Sequence, residues 1–190
     1  MAAQPGSERQ RGLGQRTEPD ERGAVFCAQG LKVISVAEHL KPDRLFRRFL
    51  KHRESIGMRI LDLDAGVMGE LRSFLNQGEL VALVADRDLS KSGIDVNFFG
   101  ARARMPAGPA ILALETGADL VTVFVSYAED GIVIDCAPPI KVDKSAERKA
   151  EIARVTQVMA NRFEDAIRAN PTSWHMQQRI FIDSDFVERA

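Results

Sequence analysis

LVALVADRDLSKSGIDVNFFGARARMPAGP, residues 80–109, is the stretch that decides the fold, and it begins with a predicted core strand. The run from Leu80 to Ala85 is apolar throughout, which is typical of a strand buried on both faces. It ends on Asp86-Arg87-Asp88, so three charged residues follow the carboxyl end of this strand. Open α/β sheets bind their ligands at that end, and we therefore expect a ligand site there.

The second part of this stretch predicts another strand and the start of a helix. Residues 94–98 alternate apolar and polar side chains, as a half-buried strand does. Arg102 and Arg104 then lead into Pro106, and proline suits the first turn of a helix. We expect a helix to begin near Pro106, with its free N–H groups close to the two arginines as an anion site.

The same charges have a second interpretation. Asp86, Arg87 and Asp88 form a local ion-pair cluster in this view, and the two arginines lie in a solvated loop. If the cluster is buried, Arg87 is expected to neutralise the carboxylates on either side of it.

Helices and strands alternate along the rest of the chain. Apolar runs predict further strands, and apolar residues at helical spacing predict helices. Glu129-Asp130-Gly131 separates the last two strands and is a hairpin signal. The pattern predicts an α/β domain with a layered mixed β-sheet flanked by helices. The predicted strands are 31–37, 58–63, 80–85, 94–98, 120–127 and 132–136, and the predicted helices are 42–57, 67–78, 106–117 and 145–169.

The composition of the chain limits the number of domains and the kinds of partner to expect. The chain has 190 residues, 45% of them hydrophobic and 28% charged, which suits one globular domain. Residues 1–22 have little to bury and are expected to be disordered, which leaves 23–190 as the folded domain. The net charge of -1 gives no bulk electrostatic reason to expect binding to nucleic acid or to an acidic membrane, although it is compatible with local basic patches. Two cysteines predict no disulfide framework and a reducing compartment. With no apolar run long enough to span a bilayer and no secretory signal, any membrane contact is expected to be peripheral.

Five segments of the chain carry a resemblance to a known family. In order they are VAEHLKP (36–42), DRDL (86–89), FFG (98–100), RMPAGPA (104–110) and WHM (174–176). In that order and with that spacing they resemble the lysophospholipid acyltransferase superfamily over about 23–178. More narrowly, they are similar to lipid A late acyltransferases and, with a better fit, to phosphatidylinositol mannoside acyltransferases.

The resemblance implies a fold and an activity. The fold would be glycerol-3-phosphate acyltransferase-like. The activity would be transfer of a fatty acyl group from acyl-CoA to a hydroxyl of a glycolipid, a phosphatidylinositol mannoside, at the cytoplasmic face of the cell membrane. Acyl-CoA is then a donor substrate, and neither a cofactor nor a metal is implied. A lipid A type acyltransferase is the alternative within this class.

The catalytic residues that the resemblance implies are incomplete in these 190 residues. The superfamily uses a histidine as general base on the acceptor hydroxyl, with an acid after four intervening residues. None of the three histidines, His39, His52 and His175, has an acid at that spacing. Asp20 stands where the family places the acid, but Gln15 stands where it places the histidine. His175, in the WHM segment, is the other candidate catalytic residue.

Two explanations of the missing histidine stay open. The chain is a truncated or frame-shifted product that lacks the family's N-terminal membrane-binding portion, or it is a degenerate homologue. In either case the alternative to an enzyme is a non-catalytic module that keeps an acyl-CoA or glycolipid pocket, or only an interaction surface.

The resemblance also assigns binding residues. Glu38 and Arg53 are expected to shape the donor and acceptor pocket, and the alternative for each is a surface ion pair of little energetic value. Arg102 and Arg104 are expected to meet the phosphates of coenzyme A or of a lipid headgroup. The full set of expected substrate-binding residues is Glu38, Arg53, Asp86, Arg87, Asp88, Arg102 and Arg104.

Overall fold

A three-stranded parallel sheet forms the first layer of the protein. The computed structural model describes residues 26–27, 30–37, 41–88, 93–176 and 178–182. Strand β1 lies in the middle of the sheet, with β2 and β3 on either side of it. Parallel neighbours need crossover connections, and each crossover here is a helix. The elements in chain order are β1 (Val33–Ala37), α1 (Asp43–Ser55), β2 (Met58–Asp62), α2 (Val67–Asn76) and β3 (Leu80–Ala82).

Strand β3 differs from the expectation for residues 80–85. It spans three residues and pairs with β1 alone among the described strands. Leu80 is 37% exposed and Val84 is 74% exposed, so the prediction of a strand buried on both faces is wrong. The physical reason is position: an edge strand leaves one side without a partner, and the ladder with β1 ends at the pair Ser35 and Ala82.

An antiparallel hairpin follows, made of β4 (Ile94–Phe98) and β5 (Ala101–Met105). Strand β4 confirms the predicted alternation, with Val96 and Phe98 buried. Strand β5 was not predicted, since its arginines were expected in a loop. Phe99 and Gly100 form the turn, with φ of 53° and 80°, as a two-residue type I′ turn requires. Glu164 Oε2 accepts the N–H of Phe99 at 2.7 Å and so anchors the strained residue.

The second half of the chain adds two helices and a further hairpin. α3 (Gly108–Thr116) ends at Gly117, whose φ of 78° closes the helix as predicted. β6 (Val123–Ala128) and β7 (Gly131–Cys136) form the predicted antiparallel hairpin. α4 (Arg148–Ala169) confirms the predicted long helix, and Asn170 and Pro171 end it. A single 3₁₀ turn, Pro171–Ser173, follows.

Three buried clusters connect these elements. One joins Ile34 and Leu61 of the sheet to α2 and to Leu112 of α3. The second joins the other side of α3 to Ile152, Val155 and Met159 of α4. The third joins the far end of α4 to the β4–β5 hairpin. Helices therefore link the parallel sheet to the hairpin, and the α/β class is confirmed.

No helix in the described part of the chain is both long enough and apolar enough to cross a bilayer.

The first turn of α4 holds a buried carboxylate. Glu151 is 3% exposed, and its carboxylate accepts two hydrogen bonds from Arg154, at 2.6 and 2.8 Å, and one from the N–H of Asp143 at 2.7 Å. The hydrogen bonds from Arg154, then that from Asp143, lower the pKa of Glu151 to about 2. An acid near a helix N-terminus is also favoured by the helix dipole.

This arrangement predicts a pH-dependent role for Glu151. Glu151→Gln should lower the free energy of unfolding by about 2 kcal/mol at pH 7, because the charge-assisted hydrogen bonds are weakened. The folded pKa lies below the ordinary value of 4.5, so the contribution is complete above that value and is lost as pH falls from about 4.5 towards 2. Urea unfolding of both proteins from pH 7 to pH 3 measures it.

Glu129→Gln, in the exposed β6–β7 turn, is the matched control and should leave stability unchanged. A stability difference for Glu151→Gln that stays constant across the pH range would contradict the assignment.

Candidate functional site

The charged segment after β3 is tied to the carboxyl-terminal part of the chain. Asp86 Oδ2 accepts a hydrogen bond from Trp174 Nε1 at 2.9 Å. Arg87 Nη1 donates to Gln178 Oε1 at 2.7 Å. The expectation that Arg87 chiefly neutralises its neighbouring carboxylates is therefore corrected: its guanidinium reaches across to a neutral amide. The physical reason is that the segment lies against another part of the chain, which supplies polar partners.

Asp86 is the most unusual polar group of this segment. Within the described part of the chain, its Oδ1 is buried and has no hydrogen-bond partner. Buried polar atoms are rarely left in that state, and a carboxylate oxygen can accept further hydrogen bonds. The arrangement marks Asp86 as the point of the site where an additional N–H or O–H donor would gain most.

Trp174 joins this carboxylate to the aromatic residues of the β4–β5 hairpin. Its ring packs edge-on against Phe98, with centroids 5.9 Å apart, and lies nearly parallel to Phe99 at 6.5 Å. Trp174 therefore both packs against the aromatic residues of the hairpin and supplies the donor to Asp86. The WHM and FFG segments of the sequence are thus in contact.

Residues 180–182 lie beside the aromatic residues of the β4–β5 hairpin. Ile180 is buried with the hairpin core, and the N–H of Ile182 donates to the carbonyl of Arg102 at 2.9 Å. A single antiparallel bridge pairs Phe181 with Ala103. This short segment therefore covers part of the outer edge of β5.

Arg102 and Arg104 share one carboxylate partner. Asp95, on β4, accepts from Arg102 Nη2 at 3.0 Å and from Arg104 Nε at 2.9 Å. The hydrogen bond from Arg104, and then that from Arg102, lowers the pKa of Asp95. The Asp95 side chain is 44% exposed, and the arginines are 63% and 35% exposed. Exposed ion pairs of this kind contribute little to stability, so replacing Asp95 as a partner of the two arginines would cost little.

The two arginines of the anion site that was expected at the start of the helix lie on strand β5. Ala103 and Met105 are buried, and because side chains alternate along a strand, Arg102 and Arg104 lie on the opposite face of β5. They were expected in a loop beside the helix N-terminus, and they belong to the hairpin instead. Their binding of an external phosphate stays a prediction.

Gly93 lets Asp88 approach the hairpin closely. The N–H of Gly93 donates to Asp88 Oδ2 at 3.0 Å, and the N–H of Asp88 donates to the carbonyl of Arg104 at 3.1 Å. A Cβ atom at position 93 would lie 2.6 Å from Asp88 Cγ and 2.7 Å from Arg104 Cγ. A side chain at this position would therefore push the charged segment away from β5.

The other expected site residues are placed as follows. His175 is exposed, and its ring centroid lies 6.4 Å from that of Tyr127 on β6. Arg53 lies near the end of α1 and is partly buried. Asp20 and Glu38 lie outside the described residues, so the pairing of Glu38 with Arg53 stays a prediction. No group of three or more potential metal-binding side chains is found among the residues that the structure describes.

Sequence reasoning missed two members of the site, Asp95 and Gln178. The alternation Ala101-Arg102-Ala103-Arg104-Met105 could have predicted β5. A strand there would have placed Arg104 opposite Asp95, which is its partner in the ladder. Gln178 contacts Arg87 across 91 residues of sequence, and no local pattern predicts that contact.

Comparison with known proteins identifies the family. The family model described as bacterial lipid A biosynthesis acyltransferase matches residues 20–182. The chain belongs to this family.

The matched region includes all the described contacts of the site. The chain is 42% identical over 147 residues to a phosphatidylinositol mannoside acyltransferase of Mycolicibacterium smegmatis, and this match covers 76% of the chain and 47% of that protein. It is 39% identical, over 147 residues, to a protein of the same name from Mycobacterium tuberculosis strain H37Rv, and covers 45% of it. The chain thus spans about half the length of the curated relatives that it matches.

The contact between Asp86 and Trp174 gives a testable prediction. Trp174→Phe keeps an aromatic ring but removes the N–H donor, so it should lower the free energy of unfolding by about 2 kcal/mol. In an Asp86→Asn background, Trp174→Phe should lower the free energy of unfolding by less than about 1 kcal/mol, because the carboxylate that accepts the hydrogen bond is absent. Chemical denaturation of the four proteins in this cycle measures the coupling. Equal costs in the two backgrounds would show that the hydrogen bond contributes nothing.

The close approach at Gly93 gives a second prediction. Gly93→Ala should destabilise the protein by about 1–3 kcal/mol, because the added Cβ overlaps Asp88 and Arg104. Gly69→Ala is the matched control: that glycine lies in α2 with nothing within 4 Å of an added Cβ, so alanine should stabilise the helix by up to about 1 kcal/mol. Urea midpoints compare the two. An unchanged midpoint for Gly93→Ala would mean that the charged segment moves without cost.

Proposed function

We propose that this chain forms the substrate-pocket portion of an acyltransferase that transfers a fatty acyl group from acyl-CoA to a hydroxyl of a phosphatidylinositol mannoside. The observation that carries the proposal is the 42% identity to the mycolicibacterial enzyme of that name, over 76% of the chain. The family match alone would leave a lipid A type acceptor equally open. The two named relatives favour the mannoside.

In this proposal the β4–β5 hairpin receives the anionic part of a substrate. Guanidinium groups bind phosphates with charge-assisted and often bidentate hydrogen bonds. Arg102 and Arg104 are held on one face by Asp95, and a phosphate of coenzyme A or of the acceptor headgroup would replace that carboxylate. Asp86, Arg87 and Trp174 lie beside the other face of this hairpin, where Trp174 packs on Phe98, and would hold other polar groups of the substrate.

The proposed reaction needs a general base, and the family's histidine–acid spacing is not found in these 190 residues. An acceptor hydroxyl attacks a thioester only if a base takes its proton as the carbon–oxygen bond forms, and the thiol of coenzyme A leaves. No histidine in this stretch has an acid after four intervening residues. We therefore propose that the 190-residue chain binds substrate but does not turn it over at an enzyme's normal rate. The same observation favours a second candidate function, a non-catalytic acyl-CoA- or glycolipid-binding module.

The proposed acceptor is a membrane lipid. A phosphatidylinositol mannoside is held in a bilayer by its acyl chains, so a protein that acts on its headgroup has to work at the surface. We place the chain at the cytoplasmic face of the cell membrane as a peripheral protein, because acyl-CoA is a cytoplasmic donor.

The test of this proposal follows labelled palmitate from palmitoyl-CoA into a phosphatidylinositol mannoside. The unmodified chain should show little or no transfer, because general-base catalysis contributes about 10²–10⁴-fold. Gln15→His alone should not restore it, since residues 16–19 do not resemble the family's histidine segment. A chimera that carries a family-type segment through Asp20 should restore transfer, whereas a pure binding module would stay inactive.

Turnover by the unmodified chain at an enzyme's normal rate would contradict the proposed lack of a base. The variant His175→Gln would then decide whether His175 serves in that role.

A further inference from the structure

Helix α1 exposes large apolar side chains on a strongly basic surface. Phe46 is buried, at 5% exposure, and α1 packs on the sheet through β2. Leu45 and Phe49, one turn apart, are 49% and 39% exposed. Leu45, Phe46, Phe49 and Leu50 share one stripe of the helix, but only part of that stripe faces the core.

The charges of α1 are biased towards one sign. The helix carries five arginine and lysine residues and two acids, in a chain whose net charge is -1. Four of the five are exposed, and the fifth, Arg53, is partly buried. Arg48 lies three residues after Leu45, and His52 lies three residues after Phe49, so each borders the exposed apolar pair on the helix surface. The basic residues are Arg44, Arg47, Arg48, Lys51 and Arg53.

The connection of α1 places this surface near the candidate site. α1 is the crossover between β1 and β2, so its first turn lies towards the carboxyl ends of the parallel strands. Strand β3 leaves the sheet at the same end and leads into Asp86. The exposed side chain of Leu45 is in that first turn, on the same edge of the sheet from which the charged segment begins.

We propose that α1 binds the surface of an anionic lipid bilayer, with Leu45 and Phe49 inserted at the boundary of the acyl chains and the surrounding arginines on lipid phosphates. A helix with a cationic polar face and an exposed apolar side has the chemistry of an interfacial helix. Apolar contact and electrostatic attraction to lipid phosphates then act together at an anionic surface.

A second copy of the chain fits this surface less well. Two α1 helices packed face to face would bring arginines of like charge together, which disfavours association. An anionic bilayer offers neutralising phosphates across the whole helix length. Charge complementarity therefore selects the bilayer as the occupant.

The inference rests on the proposed function only for the setting of a lipid substrate. Its test uses vesicles and no acyl donor, so it can fail while acyl transfer succeeds, and the reverse also holds. The measurement is co-sedimentation of the full chain with vesicles of phosphatidylcholine, alone or mixed with phosphatidylinositol. The expected result is binding to the mixed vesicles that weakens as salt is added, with weak binding to phosphatidylcholine alone.

Paired variants separate the two contributions. Arg44→Glu with Arg48→Glu should lower the partition coefficient on mixed vesicles about tenfold or more. Leu45→Ser with Phe49→Ser should lower it several-fold and leave the salt dependence in place. Lys141→Glu with Lys149→Glu is the control of equal charge change, on exposed residues elsewhere, and should bind nearly as the parent does. Urea midpoints confirm that each variant is folded.

Three results would overturn the proposal. The first is equal binding to the two kinds of vesicle, and the second is a charge reversal in α1 that acts no more strongly than the control. The third is a lipid-free dimer, detected by light scattering, that the Leu45 and Phe49 substitutions dissociate while vesicle binding persists. That last result would assign the surface to a second copy of the chain.

Discussion

The apolar stripe of α4 is the constraint on which the rest of the structure depends. Val155, Met159 and Ala160 are at most 2% exposed, and they lie between α3 on one side and the β4–β5 hairpin on the other. Thr156 is also fully buried within the stripe, and its hydroxyl donates to the carbonyl of Ile152 at 2.7 Å, so no polar group is left unsatisfied there. Interiors of this density tolerate little change in volume, and α4 therefore fixes the hairpin relative to the helices above the parallel sheet.

The candidate site is a consequence of that packing. The end of α4 carries Glu164, which anchors the turn residue Phe99, and the chain that follows α4 delivers Trp174 to Asp86. Asp86 and Trp174 are separated by 88 residues, and the packing of α4 against the hairpin brings the two segments together. The carboxylate with an unsatisfied oxygen and the aromatic residues around Trp174 thus lie against the buried face of the hairpin, and Arg102, Arg104 and Asp95 lie on its opposite face.

The sequence predicted the elements whose patterns are local and strong. α4 has an apolar stripe from Ile152 to Ile167 and clear stop signals in Asn170 and Pro171, and its predicted range is within three residues of the observed one. The β6–β7 hairpin has an equally local turn signal. Strand β5 was missed because its arginines were assigned to a loop that leads into the helix predicted from Pro106. The prediction that β3 is buried on both faces was wrong because an apolar run does not reveal whether its strand lies at the centre or the edge of a sheet.

The same distinction holds for the site and for α1. The sequence indicated Asp86, Arg102 and Arg104 as candidates because charges follow apolar runs. It did not indicate Asp95, because β5 was missed, and no local pattern predicts that Trp174 reaches Asp86 or that Gln178 reaches Arg87. The helical spacing of its apolar residues predicted α1, and the structure buries Phe46 while leaving Leu45 and Phe49 exposed. The spacing of apolar residues identifies the apolar face of a helix but does not show what covers that face.

The central claim is that the hairpin arginines form an anion site that Asp95 occupies when no substrate is bound. The affinity of the chain for palmitoyl-CoA, measured by calorimetry below its micelle-forming concentration, tests this most directly. Arg104→Gln should weaken binding about tenfold, and Asp95→Asn should strengthen it, because the competing carboxylate is removed. Arg148→Gln, which removes an arginine from a different exposed ion pair, should leave the affinity unchanged. Binding that responds equally to all three changes, or no binding by the folded parent chain, would contradict the account.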